Sequence, residues 1–380
     1  MANIKGTNRG ELLRGTAAAD RIQAMGGDDI IVASGGNDTI DGGLGTDTLD
    51  YSAWSGNIRV SPTFSANANN SVPGSGTAGK YDATGALLSS DSFSYIERII
   101  ATSGNDLVGF SAGAVWGGSG DDYLYGAQAT YGGAGDDLIS LGSGSAFADG
   151  GEGIDTLFWF SGQPGRTIVD LQSGTVTYPD FPAVTDTLVS IENVRGYGGN
   201  KQIYGTDGSN RVEGGYGSDL IEGRGGDDVL VGDLGRPATV GSYTYGFADR
   251  INGGAGNDLL SGDLDADVLT GGSGADTFVL DTYFGTDRIT DFEDGVDTLA
   301  LYGGLTITGW ETRDTNGDGT ADAYAALLSN NQAVIFDGYT SAPANLVSGT
   351  GLALHTEQFA IPDLADWSAA TGWGGLGLWS

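Results

Sequence analysis

The sequence predicts an all-β fold in which tight turns alternate with short strands, and three observations support this prediction. The chain is rich in Gly and Asp, with 69 Gly and 50 acidic residues among 380, which favours turns over long helices. Five consecutive nonapeptides start at Gly6, each with an acid at position six and a branched aliphatic at position eight. Similar nonapeptides recur in two later blocks, which begin at Gly117 and Gly205.

Each nonapeptide is expected to form one turn and one short strand. In the unit at 253–261, three of the first four residues are Gly, which can adopt backbone angles that other residues avoid. The last three residues are extended, and Leu260 points to the interior, as the two-residue period of a strand requires. Two nonapeptides then complete one coil, so stacked turns lie eighteen residues apart.

The acidic residues need counter-ions. The chain has 16 Lys and Arg against 50 Asp and Glu, which gives a formal charge of −34 and would by itself favour disorder. Yet 39% of its residues are hydrophobic and 9% are aromatic, enough to build cores. Carboxylates eighteen residues apart can bracket one ion, and turn carbonyls can complete roughly six oxygen ligands, a shell that suits Ca²⁺. The sequence therefore predicts a protein that needs a hard cation to fold.

The residues at position six of each nonapeptide are the candidate metal ligands. They are Glu11, Asp20, Asp29, Asp38, Asp47, Asp122, Asp137, Asp155, Asn210, Asp219, Asp228, Asp249, Asp258, Asp267 and Asp276. In-register pairs are Glu11/Asp29, Asp20/Asp38, Asp29/Asp47, Asp137/Asp155, Asn210/Asp228, Asp249/Asp267 and Asp258/Asp276. These pairs predict roughly seven to ten Ca²⁺ ions. Glu11 and Asn210 depart from Asp at the block ends, which makes their sites the weakest candidates.

Units such as GGSGDDYLY and GGAGNDLLS resemble the RTX (repeat-in-toxin) family, whose nonapeptide is G-G-x-G-x-D-x-U-x. The resemblance covers the three repeat blocks. It implies parallel β-roll blocks stacked in tandem, with calcium-driven folding outside a Gram-negative-type bacterium. It also implies type I export through an uncleaved C-terminal signal. The alternative is a Gly-rich disordered linker, and three blocks in register argue against it.

The pattern divides the chain into seven segments. They are three rolls at 1–60, 103–160 and 200–280, two spacers or caps at 61–102 and 161–199, a C-terminal β cap at 281–345 and a Trp/Gly-rich tail at 346–380. The spacers are expected to cover open roll ends. Their aromatic residues, such as Tyr178 and Phe181, offer an alternative role in stacking on sugars or contacting a neighbouring subunit.

Two features near the C-terminus have more than one interpretation. The tail carries Trp367, Trp373 and Trp379, and it is either an export signal or an apolar strand that docks one subunit on another. The loop at 314–322 begins like an EF-hand, but Ala325 stands where a bidentate Glu is needed. A hairpin turn with at most a weak ion is the favoured interpretation of this loop.

Several classes of function are excluded. Nucleic acid is a poor partner, because binding it needs clustered cations. Without Cys, neither disulfides nor Cys-based zinc sites can form. No run of about eighteen apolar residues predicts a transmembrane helix, and the first residues lack the apolar core of a cleaved signal peptide. His355 is the single His, and no G-x-S-x-G motif is present, so no catalytic residues are assigned.

The sequence therefore predicts a secreted, extracellular or cell-surface calcium-binding structural protein, not an enzyme. We expect it to self-associate as a homo-oligomer or polymer, in a surface layer, filament or matrix. The first alternative is a monomeric adhesion or carbohydrate-binding protein that contacts cell-surface glycans. A polysaccharide-acting enzyme is the less favoured alternative.

Overall fold

The computed structural model describes residues 1–62, 74–142, 144–158, 166–233, 247–281, 285–343 and 346. All regular structure in these residues is β-strand, and many strands are only three residues long. The first strands are β1 (Asn3–Lys5), β2 (Leu12–Arg14), β3 (Arg21–Gln23), β4 (Ile30–Val32), β5 (Thr39–Asp41), β6 (Thr48–Asp50), β7 (Ile58–Pro62), β8 (Gly76–Tyr81), β9 (Leu87–Ser94), β10 (Arg98–Ile100), β11 (Leu107–Gly109), β12 (Ala114–Ser119), β13 (Tyr123–Tyr125), β14 (Ala129–Ala134), β15 (Leu138–Ser140), β16 (Phe147–Glu152) and β17 (Thr156–Phe158). The remaining strands are β18 (Thr167–Asp170), β19 (Thr175–Thr177), β20 (Thr185–Val189), β21 (Asn193–Arg195), β22 (Lys201–Tyr204), β23 (Arg211–Glu213), β24 (Leu220–Gly225), β25 (Val229–Val231), β26 (Arg250–Ala255), β27 (Leu259–Ser261), β28 (Val268–Ser273), β29 (Thr277–Leu280), β30 (Asp287–Ile289), β31 (Thr298–Leu301), β32 (Ile307–Arg313), β33 (Ala323–Leu328) and β34 (Ala333–Asp337).

The chain divides into two compact units. Unit 1 comprises Met1–Trp159, Gly174–Thr177 and Phe181–Asn193. Unit 2 comprises Phe160–Ser173, Tyr178–Asp180 and Val194–Ser380. The finer division into seven segments stays a prediction. In the part of the chain that the structure describes, no helix is long and apolar enough to cross a bilayer.

The first six strands of unit 1 alternate between two parallel sheets. Strands β1, β3 and β5 pair in one sheet, and β2, β4 and β6 pair in the other. Ile22 lies opposite Ile40, and Ile31 lies opposite Leu49, which is the predicted offset of eighteen residues. The prediction of an all-β fold built as a parallel β-roll is confirmed.

The aliphatic side chains at position eight form the core between the two sheets. Ile22, Ile31, Ile40 and Leu49 are all at most 2% exposed. Burying one such side chain contributes about 1.5–3 kcal/mol, so one aliphatic per nonapeptide supplies most of the apolar stabilisation of a coil. The second block follows the same rule, with Leu124, Ile139 and Leu157 fully buried.

The first spacer continues a sheet of unit 1. Strands β7, β8 and β9 form an antiparallel meander. At one side β9 runs parallel to β5, with Phe93 opposite Ile40, and at the other side β7 runs parallel to β11, with Val60 opposite Val108. The meander therefore connects two repeat blocks through hydrogen-bonded strands.

Unit 2 repeats the two-sheet arrangement. Val212 lies opposite Leu230 at the eighteen-residue offset, whereas Leu230 and Leu260 are thirty residues apart because the repeat is longer there. The last strands among the described residues of the unit are the antiparallel β32, β33 and β34, with β34 parallel to β30.

The EF-hand-like loop connects β32 to β33 as a hairpin turn. The two carboxylate oxygens of Asp314 accept hydrogen bonds from the backbone N–H groups of Gly317 and Gly319, each at 2.8 Å. Ion binding by this loop stays a prediction. The predicted docking tail, with Trp367, Trp373 and Trp379, lies outside the described residues.

Candidate metal sites

The side chains at position six of the repeats are stacked in rows, which we call ladders. In the first ladder, the backbone N–H of Glu11 donates to Asp29 Oδ1 at 2.8 Å, and that of Asp29 donates to Asp47 Oδ1 at 2.9 Å. The N–H of Asp47 in turn donates to Glu97 Oε2 at 2.8 Å. We call each residue of a ladder a rung. The backbone N–H of one rung is thus bonded to the carboxylate of the rung on the next coil, and each contact uses one carboxylate oxygen.

Four further ladders have the same construction. Unit 1 contains the second ladder (Asp20, Asp38, Asp91) and the third (Asp106, Asp122, Asp137, Asp155, Glu192). Unit 2 contains the fourth (Lys201, Asp219, Asp249, Asp267, Asp287) and the fifth (Asn210, Asp228, Asp258, Asp276, Asp297). The stacked register of the β-roll therefore brings carboxylates into rows that are far apart in sequence.

All fifteen predicted ligand residues belong to a ladder, and each predicted pair occupies adjacent rungs. Fourteen of them are buried, and Glu11 is half-buried. Metal binding by these residues stays a prediction.

Six further acids complete the ladders, although the sequence analysis did not assign them. They are Asp91, Glu97, Asp106, Glu192, Asp287 and Asp297. The repeat pattern could have identified Asp106, Asp287 and Asp297 as ladder residues, because each has Gly two residues before it and an aliphatic residue two residues after it. The nonapeptide pattern therefore continues beyond the blocks in which we recognised it.

Glu97 and Glu192 follow turns that have the backbone conformation of the repeat but not its glycine. Position four of the repeat holds Gly with a positive φ, for example 97° at Gly27. Tyr95 and Ser190 stand at that position before the two Glu residues, with φ values of 56° and 49°. L residues rarely adopt this left-handed region. The ladder register thus imposes the repeat turn on sequences that lack its glycine.

Many ladder carboxylates keep one buried oxygen that has no hydrogen-bond donor within the described residues. These atoms are Oδ2 of Asp29, Asp47, Asp122, Asp137, Asp155, Asp219, Asp228, Asp249, Asp258, Asp267 and Asp287. Leaving a buried polar group unsatisfied costs about 1–3 kcal/mol, and more when the group is charged. Such groups are rare in native proteins, and a bound ion is one of their recognised explanations.

The unsatisfied oxygens face small spaces that only glycine leaves open. A Cβ placed on Gly132 would lie 2.1 Å from Asp137 Oδ2 and 2.5 Å from the carbonyl oxygen of Gly150. A Cβ on Gly223 would lie 2.1 Å from Asp228 Oδ2 and 2.6 Å from the carbonyl oxygen of Gly253. Each space therefore brings together a carboxylate oxygen and a carbonyl oxygen from the next coil.

Burial makes the negative charge of these carboxylates unfavourable in the absence of a cation. It raises the pKa of Asp249 to about 10 and that of Asp122 to about 9, with like charges on neighbouring rungs adding to the effect. Asp20 behaves differently, because backbone N–H groups of Ala2 and Thr16 donate to it and lower its pKa. A bound divalent cation would offset the charge of the buried carboxylates, so they could stay ionised instead of taking up protons.

The donor set fits calcium. Within the described ranges, no group of three or more Asp, Glu, His or Cys side chains is compact enough to hold a metal ion. Adjacent rungs combine carboxylates with turn carbonyls, so every donor is oxygen. Ca²⁺ takes six to eight oxygen ligands, whereas structural zinc sites use sulfur and nitrogen.

We expect Gly223→Ala to weaken calcium binding and to destabilise unit 2, because the new methyl group would overlap Asp228 Oδ2 and the Gly253 carbonyl. Overpacking of this kind costs about 1–3 kcal/mol. Gly198→Ala is the matched control, since nothing lies within 4 Å of its Cβ position. Calcium titrations followed by urea unfolding measure both effects. Equal behaviour of the two variants would show that the space beside Gly223 is not part of a site.

Comparison with known proteins identifies the repeats. Residues 14–49, 114–128, 131–157, 204–236 and 243–278 match the family model described as the RTX calcium-binding nonapeptide repeat (4 copies). No curated protein matches the chain. One similar solved structure is the crystal structure of extracellular lipase LipA from Serratia marcescens, which is 14% identical with a TM-score of 0.20. The match covers 91% of this chain but only 40% of the lipase chain. The similarity to the lipase is therefore weak. The five segments that match the family model are RTX calcium-binding nonapeptide repeats.

Proposed function

We propose that this chain is a secreted calcium-binding structural protein, and that Ca²⁺ binds along its carboxylate ladders outside the cell where their oxygens lack donors. The observation that carries the proposal is the set of buried carboxylate oxygens without hydrogen-bond donors, which recurs in four of the five ladders. Proteins with RTX repeats typically bind calcium and are secreted. Roughly seven to ten ions, each with six to eight oxygen ligands, would occupy the ladders.

We further propose that the calcium-loaded chain self-associates, through the open end of unit 1. Among the described residues, β1 pairs with β3 alone and β2 with β4 alone, so each has one edge without a strand partner. Nearby, Leu12 and Ile30 lie opposite each other and are 57% and 44% exposed. Unpaired strand edges beside apolar side chains favour pairing with a second copy of the chain.

Calcium would also remove the barrier to this association. A net charge of −34 makes copies of the chain repel each other. Each bound Ca²⁺ offsets two of these charges, so assembly and folding would depend on the same ion.

The test is light scattering and electron microscopy of the purified chain with and without Ca²⁺. We expect calcium to produce large ordered particles from the wild type. Leu12→Lys places a charge on a side chain that is 57% exposed at the open end, and it should keep the calcium-loaded protein monomeric. Leu87→Lys, at a residue that is 57% exposed on β9, is the control that should still assemble. A wild type that folds with calcium but remains monomeric would contradict self-association and leave calcium binding intact.

A row of aromatic side chains favours the second candidate, a carbohydrate-binding or adhesion protein. On β12, β14 and β16 of unit 1, Trp116 and Tyr131 stack with ring centroids 5.0 Å apart, and Tyr131 lies 5.4 Å from Phe147. These half-buried rings form a continuous apolar strip, in which the parallel Trp116 and Tyr131 rings could stack on a sugar ring. Binding of the wild type to a glycan array, and its loss in Trp116→Ala, would support this candidate. The absence of an enzymatic activity stays a prediction.

A further inference from the structure

The second ladder differs from the others because protein donors satisfy the second carboxylate oxygen of each of its three Asp residues. Asp20 Oδ2 accepts hydrogen bonds from the backbone N–H of Thr16 at 2.6 Å and from its hydroxyl at 2.7 Å. Asp38 Oδ2 accepts one from the Ser34 hydroxyl at 2.9 Å. Asp91 Oδ2 accepts one from the Tyr51 hydroxyl at 3.0 Å. This ladder therefore has the rungs of a calcium ladder without the unsatisfied oxygens.

A buried lysine supplies a positive charge to the same ladder. Lys80 lies on β8 and is fully buried. Its Nζ donates to the carbonyl oxygens of Ser34 and Gly36 at 2.6 and 3.0 Å, and to Asp91 Oδ1 at 2.8 Å. Two turn carbonyls and a ladder carboxylate are the kind of oxygens that we assign to calcium elsewhere. The three contacts match the three N–H donors of an ammonium group.

A second lysine repeats part of this arrangement in unit 2. The chain has three lysines, Lys5, Lys80 and Lys201, and only Lys5 is exposed. Lys201 takes the position-six place in the fourth ladder, and its Nζ donates to the carbonyl of Gly199 at 2.7 Å. Gly199 and Gly36 both stand at position four of their repeats. The carbonyl at this position therefore accepts a buried ammonium group in both units.

We propose that the ammonium group of Lys80 takes a cation position of the second ladder, and that this ladder binds no calcium. The inference rests on the proposed calcium binding of the other ladders. Asp91 is already paired with Lys80 and Tyr51, and a Ca²⁺ ion beside Lys80 would be repelled by its charge. The second ladder would thus be held together by the chain's own cation and hydroxyl groups.

Where Thr or Ser stands at position two of a repeat, its hydroxyl can satisfy the second carboxylate oxygen, as Thr102 also does for Asp106 in the third ladder. Thr16 and Ser34 hold this position before Asp20 and Asp38, whose second oxygens are satisfied. Gly133 and Gly254 hold it before Asp137 and Asp258, whose Oδ2 atoms have no donor within the described residues. A hydroxyl at position two fills the role that an ion plays at a glycine-containing turn.

The first experiment counts bound Ca²⁺ by native mass spectrometry for two isosteric variants. Asn keeps the Oδ1 acceptor of a rung but removes its charge. We expect Asp38→Asn, in the second ladder, to bind the same number of ions as the wild type. Asp137→Asn, in the third ladder, should bind at least one ion fewer. Loss of an ion from Asp38→Asn would overturn the proposal.

The second experiment removes the ammonium group of Lys80 and tests whether a Ca²⁺ ion takes its place. In Lys80→Ala the freed carbonyls of Ser34 and Gly36 and the Asp91 carboxylate should bind Ca²⁺, so the count should rise by one. Lys80→Met keeps the space filled without the charge and should gain no ion, and Lys5→Ala should match the wild type. An unchanged count in a folded Lys80→Ala would count against the proposal.

The two proposals fail in different ways. A wild type that binds no Ca²⁺ would contradict the proposed function itself. A wild type that binds calcium, with Asp38→Asn losing an ion, would contradict only the assignment of the second ladder. Should Lys80→Ala fail to fold, the Asp38→Asn and Asp137→Asn counts still decide the question, because both variants keep the rung hydrogen bonds.

Discussion

Removing calcium from the folded protein is expected to abolish its β structure. The reason is the set of ladder oxygens, such as Oδ2 of Asp137 and Asp258, that are buried without donors in the described structure. Each unsatisfied charged group costs more than about 1–3 kcal/mol, whereas a folded domain is stable by only about 5–15 kcal/mol. About five such carboxylates are enough to cancel the stability of a unit, and each unit contains at least five.

Far-UV circular dichroism in EGTA measures this effect. The β signal should disappear when calcium is chelated and return when Ca²⁺ is added in excess. EGTA that has been saturated with Ca²⁺ beforehand is the control for the chelator. Mg²⁺ should restore little of the signal, because it demands octahedral geometry and keeps its water ligands. An unchanged spectrum in protein shown by mass spectrometry to be free of ions would contradict calcium-dependent folding.

The regular part of the fold was predictable because it is encoded locally. One nonapeptide specifies its own turn through Gly and its own core contact through one aliphatic, as Ile31 and Leu49 show on neighbouring coils. The eighteen-residue offset follows from stacking two such units per coil. Predicted pairs such as Asp249 and Asp267 therefore lie on adjacent rungs in the structure.

The remaining site residues depend on tertiary register, which the local pattern does not contain. Glu97 follows Asp47 in the first ladder although fifty residues separate them, because the meander of β7, β8 and β9 lies between the blocks. Lys80 reaches the turn at Ser34 and Gly36 from a different segment, and no spacing in the sequence signals this contact. The hydroxyl of Ser34 at position two was visible in the sequence, but its role required the geometry.

Acidification should stabilise the calcium-free protein. Burial raises the pKa of Asp249 to about 10, of Asp122 to about 9 and of Asp137 to about 7. These folded-state pKa values lie above the ordinary aspartate pKa of 3.8, so the folded state binds more protons than the unfolded state at pH values between them. The free energy of unfolding therefore rises as the pH falls through this window. Between pH 8 and 5 the calcium-free chain should become more resistant to urea, or recover β signal if it begins unfolded.

The stability that calcium adds should change in the opposite direction. Protons and Ca²⁺ compete for the same carboxylates of the folded state, so the increase in the free energy of unfolding on adding a fixed concentration of Ca²⁺ should become smaller as the pH falls. Asp249→Asn mimics the protonated rung, and it should reduce the pH dependence of the calcium-free protein. Asp318→Asn removes an exposed carboxylate from the same unit and should leave that dependence unchanged. A calcium-free stability that stays level or falls between pH 8 and 5 would contradict the view that buried, uncompensated carboxylates oppose folding.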